Sequence, residues 1–178
     1  MRRDELAAAE GRTIPDVIGP GLRVLFCGIN PGLWSAAVGH HFAHPSNRFW
    51  KVLHQAGFTD RLLPPAEQGE LAGAGVGITN LVDRSTRTAK ELSAEELRAG
   101  ASALEDKVRR YRPTIVAVVG VQAYRTGFGR RHAVIGPQSD SLAGSRLWVV
   151  ANPSGAQAHY PLAALVEAFT ELRLATTL

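Results

Sequence analysis

Asn30-Pro31-Gly32 places a carboxamide at the end of an apolar run, Leu22 to Cys27, held by the rigid proline and permissive glycine that follow it. The surrounding residues 28–47, GINPGLWSAAVGHHFAHPSN, hold three glycines, three histidines, two prolines and Phe42, but no acid and no lysine. An amide orients a water through its carbonyl oxygen but cannot take the proton as a strong base would. Such a group suits a reaction whose transition state is already cationic and needs little push from the nucleophile. Phe42 offers a flat apolar face for a planar ligand. A second asparagine–proline turn, Asn152-Pro153-Ser154-Gly155, carries small polar residues fit for close approach to a phosphate backbone.

Other chemistries lack their signatures. No Gly-Lys-Ser/Thr follows the first loop, and the G-x-G-x-x-G spacing of a dinucleotide site is missing. Asn152 occupies the first glycine position of a G-x-S-x-G elbow, which argues against a nucleophilic Ser154. His40, His41 and His44 have no acid or cysteine nearby to complete a ligand set, so no metal site is expected. One histidine packing and one bonding the backbone is the expected arrangement. Asp83 reads as a turn-capping aspartate paired with Arg84. The single cysteine, Cys27, excludes an intrachain disulfide and an all-protein thiolate cluster. A net charge of +4 permits an anionic partner without demanding one.

Strand-and-helix alternation must position these residues. The strands are expected at Gly21–Cys27, Val76–Val82, Thr114–Val119 and Arg146–Ala151, all mostly apolar, as in a sheet covered on both faces. The helices are expected at Asn47–Ala56 with Ser46 as N-cap, from Pro65 to about Leu71, from the Ser93/Glu96 capping box to Tyr111, at Val121–Thr126, and from Pro161 onward. Residues 127–145 read as Gly-rich and irregular. The fold class is therefore α/β, a three-layer sandwich around a central four-stranded parallel sheet. Right-handed crossovers bring residues 28–47, 80–87 and 152–160 to the carboxyl edge of that sheet, where ligands bind. Residues 1–20 read as a loosely ordered N-terminal arm with a short helix at Glu5–Glu10, and 21–178 as a single domain. No apolar stretch reaches the ~18–20 residues of a membrane span, and Arg2-Arg3-Asp4-Glu5 lacks an apolar signal core. A cytoplasmic protein is expected.

Gly28-Ile29-Asn30-Pro31-Gly32, His44-Pro45-Ser46-Asn47-Arg48-Phe49-Trp50, Leu81-Val82-Asp83-Arg84 and Asn152-Pro153-Ser154-Gly155 recur together in one known family. In that order and spacing they resemble the mismatch-specific uracil/thymine DNA glycosylases. These are the bacterial Mug and animal thymine-DNA glycosylase group of the uracil-DNA glycosylase superfamily. The resemblance runs from about Leu22 to Leu172. It implies base-excision repair by a monofunctional glycosylase. The enzyme would flip uracil from a G·U mismatch in double-stranded DNA and hydrolyse its N-glycosidic bond, leaving an abasic site. No cofactor, no lyase activity and a monomeric state are implied, with the enzyme nucleoid-associated when bound to DNA. A weakly catalytic module of the same fold that binds mismatched or abasic DNA is the alternative.

By the same resemblance, Asn30 positions the attacking water, with Asn80 as a second catalytic asparagine. Phe42 stacks on the flipped base, main-chain amides near Ile29 and Phe42 read the pyrimidine edge, and Gly32, Ser35, His41 and Asn152 complete the substrate pocket. Ser154, Gly155, Ala156 and Gln157 form the segment that enters the duplex. Three departures bear on specificity. Ala156-Gln157-Ala158 replaces the Leu-Ser-Arg of the Mug pattern, which weakens the expected wedge and guanine contact. Asn80 stands where Mug has lysine and matches the animal enzymes. Ser35 stands where thymine-active enzymes have alanine, so uracil is expected to be excised well above thymine.

Overall fold

The computed structural model of the chain describes residues 1–157 and 159–177. Its sheet has five strands in the order β2-β1-β3-β5-β4. They are β1 (Val24–Gly28), β2 (Val76–Asn80), β3 (Ile115–Val119), β4 (Gly136–Leu142) and β5 (Ser145–Val150). The four expected strands pair parallel. The fifth, β4, joins antiparallel to β5 and corrects the four-stranded expectation. It fell within the stretch read as irregular because its residues, GPQSDSL, are half-exposed or exposed up to Leu142, as on a sheet margin. A tight turn with positive φ at Ala143 and Gly144 joins it to β5.

The apolar strands divide their side chains between two cores, as the two-residue period of a strand requires. Val24 and Phe26 point toward α3 (Phe49–Gln55) and α6 (Leu162–Ala175), packing with Phe49, Leu53, Leu165 and Phe169. Leu25 and Cys27 point the other way, toward α4 (Ala94–Tyr111) and α5 (Val121–Gly127), packing with Leu104, Val108 and Tyr124. The result is the three-layer sandwich. Helix α4 begins with the expected capping box, in which Ser93 Oγ accepts from the Glu96 amide at 3.1 Å. Among the described residues no helix is long and apolar enough to cross a membrane.

Three local expectations are corrected. Residues 28–47 contain a short helix, α2 (Leu33–Val38), closed by Gly39 at φ 77°. Helix α3 starts at Phe49, whose amide donates to Asn47 Oδ1 at 2.9 Å. Ser46 does not cap it, because Ser46 Oγ is engaged with His44 Nδ1 at 2.7 Å. The segment after Pro64 is a 3₁₀ stretch, Pro65–Ala74.

The first twenty residues are not loosely held. Helix α1 (Arg3–Ala8) is followed by fully buried Ala9 and by Ile14, 6% exposed. Val17 forms an antiparallel bridge with Ile78 at the free edge of β2. The signal was faint, since two buried residues among exposed ones have no periodicity.

Candidate active site

A cleft of about 830 Å³ opens at the carboxyl edge of the sheet. All twelve expected site residues line it. From the first loop come Ile29, Asn30, Gly32, Ser35, His41 and Phe42; from the end of β2 comes Asn80; from the loop after β5 come Asn152, Ser154, Gly155, Ala156 and Gln157. Ala158 lies outside the described residues. The cleft also takes Thr86, Arg87, Thr88 and Lys90 from the loop after β2, and Leu6 and Ile14 from the N-terminal segment. Of these, the sequence places only residues 80–87 at this edge, and it gives the N-terminal segment no part in the cleft.

Asn30 is oriented by two acceptors. Its Nδ2 donates to Arg84 O at 3.0 Å and to Thr86 Oγ1 at 2.8 Å. Thr86 can accept because its own hydroxyl proton goes to Thr88 O at 2.8 Å. The amide is planar, so its oxygen points away from this pair. Asn30 itself is half-buried and lines the cleft. The site thus presents a fixed acceptor to a water in the cleft.

The loop carrying Thr86 is tied down from outside by Arg84. Its Nε and Nη2 donate to the Glu96 carboxylate at 2.7 and 3.1 Å. The expected Asp83–Arg84 pair is therefore replaced by Arg84–Glu96. Asp83 is exposed and does not line the cleft. The Arg84 hydrogen bond, with the Ser93 amide behind it, holds the Glu96 carboxyl down to about 2.

Asn80 is set by register. It pairs with Gly28 across β1 and β2, and a Cβ on Gly28 would sit 2.6 Å from Asn80 Oδ1. Only glycine leaves that side chain room over the strand end. Asn80 Nδ2 faces His41 Nδ1 at 3.5 Å. The other imidazole nitrogen, Nε2, donates to Pro15 O at 2.9 Å, which fixes the tautomer with a lone pair toward Asn80. His41 is 2% exposed, and burial pushes its pKa down, against a smaller opposing pull from the Pro15 carbonyl.

Phe42 adopts φ 51°, an uncommon conformation for a bulky residue. Its neighbours hold it there. The His41 amide donates to Gln68 Oε1 at 2.7 Å, His41 O accepts from Trp50 Nε1 at 3.1 Å, and the Ala43 amide donates to Ser35 Oγ at 3.0 Å. One face of the Phe42 ring stacks on Phe49, with centroids 4.1 Å apart and planes at 20°. Phe42 also lines the cleft. Ser35, 7% exposed, therefore braces Phe42 as well as lining the pocket. The Ile29 and Phe42 amides donate to no other main-chain group among the described residues.

The loop after β5 is internally braced. Asn152 Oδ1 accepts from the Ser154 amide at 3.0 Å, and Ser154 Oγ accepts from the Ala156 amide at 3.2 Å. Among the described residues these bonds use only the acceptors of Asn152 and Ser154, leaving Asn152 Nδ2 and the Ser154 hydroxyl proton as donors. Arg48, which sequence reasoning did not single out, straps this loop to α3. Its guanidinium donates to Pro153 O at 3.3 Å, to Gln157 O at 3.0 Å and to Tyr160 O, and its amide donates to Pro153 O at 3.1 Å. Of the three histidines, His41 bonds Pro15 and His44 bonds Ser46, whereas His40 Nδ1 is buried without a partner among the described residues.

Two comparisons with known proteins bear on this arrangement. The solution NMR structure of a candidate uracil DNA glycosylase from Methanosarcina acetivorans superimposes with a TM-score of 0.61 at 18% identity. The match covers 92% of this chain and 98% of that one, which establishes the shared fold. The family model described as Uracil DNA glycosylase superfamily matches residues 15–173, from Pro15 beside His41 to Arg173 in α6. The chain belongs to the uracil DNA glycosylase superfamily.

Proposed function

We propose that the protein is a monofunctional DNA glycosylase that removes uracil, preferring G·U mismatches in duplex DNA, and leaves an abasic site. The observation that carries this reading is Asn30, whose nitrogen is doubly occupied and whose oxygen is turned to the cleft. Beyond superfamily membership, the Mug and thymine-DNA glycosylase subgroup is supported by the Gly28–Gly32 and Asn152–Gly155 motifs. The enzyme is further proposed to act as a cytoplasmic monomer.

In the proposed reaction the mismatched uracil leaves the duplex, at a cost of a few kcal/mol that is smallest for a weakly paired base. Stacking on Phe42 returns ~1–3 kcal/mol. As the glycosidic bond lengthens, the sugar becomes oxocarbenium-like and uracil gathers negative charge. In this reading the Ile29 and Phe42 amides take up that charge, each preorganised donor supplying ~3 kcal/mol. Asn30 Oδ1 accepts from a water and aims its oxygen at the anomeric carbon. The water bonds to that carbon, the glycosidic electron pair departs with uracil, and the water's surplus proton passes to solvent or to the leaving base. Asn80 Nδ2, beside neutral His41, is an added donor at the pocket wall. Asn152 Nδ2 and the Ser154 hydroxyl are the donors offered to the base and the phosphate.

The test is a G·U duplex incubated with the protein, treated with alkali and examined for strand cleavage. Cleavage by the wild-type chain, slowed ~10²-fold or more in Asn30→Ala with abasic-duplex affinity little changed, is the expected result. Undiminished turnover by Asn30→Ala removes that residue from the mechanism. Tight abasic-DNA binding without any cleavage supports the binding-module alternative. In the same assay G·T should be processed well below G·U, because the Ser35 hydroxyl crowds a 5-methyl group; equal rates contradict that role.

A further inference from the structure

The N-terminal segment reaches behind both asparagines of the cleft. Ser85 is fully buried. Its Oγ donates to Ala9 O at 2.5 Å, its amide donates to Arg12 O at 2.9 Å, and its carbonyl accepts from the Gly11 amide at 3.1 Å. All three polar groups of Ser85 are thus engaged by one turn of the N-terminal segment. The residues on either side of Ser85 supply the two acceptors that orient Asn30, Arg84 O and Thr86 Oγ1. A few residues further on, Pro15 O holds the His41 ring whose other nitrogen faces Asn80. Asp16 then accepts from Thr79 Oγ1 at 2.9 Å and pairs with Lys107 Nζ at 2.7 Å, next to Asn80 in the chain. Val17 and Ile78 exchange both main-chain bonds, at 2.9 and 2.8 Å.

We propose that residues 9–17 are a positioning part of the catalytic site, acting through Ser85 on Asn30 and through Pro15 and His41 on Asn80. The outer tie of the same loop, Arg84–Glu96, lies between half-exposed side chains that water reaches and holds geometry less firmly. The inner tie at Ser85 is dry. Loss of one buried hydrogen bond there lets Arg84 O and Thr86 Oγ1 drift together, and the Asn30 amide drifts with them. Displacements well under 1 Å matter when a water must be aimed at one carbon.

The consequence for rate rests on the uracil-excision reading, whereas the coupling does not, so two arms keep them apart. In the first, the Asn30 carboxamide NH₂ signal of the free protein is identified by its loss in Asn30→Ala. Ser85→Ala should speed its solvent exchange about 10-fold; unchanged exchange overturns the proposal. In the second, single-turnover cleavage of a G·U duplex is measured. Ser85→Ala should lower the rate constant about 10-fold while leaving abasic-duplex affinity within about twofold. Added to Asn30→Ala, it should slow the reaction no further. A wild-type rate constant, or equal slowing in both backgrounds, overturns the proposal. A merely structural role would lower the active fraction and the Tm but not the rate constant. Should Ser85→Ala fail to fold, Ser85→Cys, slightly larger and a weaker donor, is read the same way. Inactivity of the wild-type chain would sink the function reading while the exchange arm still decides the coupling.

Discussion

At the scale of single residues, what a polar group is already bonded to decides what it can still do. Asn30 gives both amide protons to the protein and keeps its oxygen for the cleft. His41 gives one proton to Pro15 O and keeps a lone pair for Asn80. Burial disfavours the imidazolium, so its folded pKa lies below the ordinary 6.5. A depressed folded pKa means that protonation favours the unfolded chain. The stability His41 provides is therefore complete above pH 6.5 and is lost as pH falls through the lower folded value. An NMR titration should place the His41 midpoint below 6.5, and a midpoint at or above it contradicts the neutral ring assigned here. Asn30, Phe42 and Asn152 were legible in the sequence because turn residues beside an apolar run advertise a strand-end loop. Thr86 and Ser85 were not. Their roles depend on partners 56 and 76 residues away, and a hydroxyl in a polar loop carries no local sign of either.

Among elements, close approaches rather than propensities set the cleft. Gly100 in α4 lies so near the strand-end loop that a Cβ would overlap the Leu81 carbonyl oxygen. Gly100→Ala should cost about 1–3 kcal/mol of stability, since backbone must shift to admit the methyl. Urea unfolding checks this, and an unaltered midpoint would mean that the helix and loop separate freely. Arg48 is the matching strap on the other wall. Arg48→Met keeps its stem but removes every guanidinium bond to the 153–160 loop. It should weaken G·U-duplex cleavage about 10-fold while affecting a uracil-containing single strand less. Equal losses on both would place Arg48 in the chemistry instead. The apolar strands and capped α4 were readable because burial on both faces and a capping box leave plain patterns. The margin strand β4, the six-residue α2 and the seated N-terminal segment were not, for each owes its place to a tertiary partner rather than to periodicity.

For the molecule as a whole, the parallel sheet is what turns separate motifs into one site. Parallel pairing of β2, β1, β3 and β5 carries the loops after β1, β2 and β5 to the same edge. That much followed from strand–helix alternation alone. The N-terminal segment then closes the back of the cleft, so the frame of the site extends to residues far from any motif. The central claim is that a neutral carboxamide, held by its nitrogen, directs water onto a sugar carbon that develops its own positive charge. The most direct measurement is a crystal structure on a G·U duplex whose uracil nucleotide carries a 2′-fluorine, which slows bond cleavage by destabilising that cation. It should show a water about 3 Å from Asn30 Oδ1, beneath the anomeric carbon on the face opposite the base, with Nδ2 still on Thr86. Asn30 turned away from the sugar, or a carboxylate in its place at that carbon, would contradict the account.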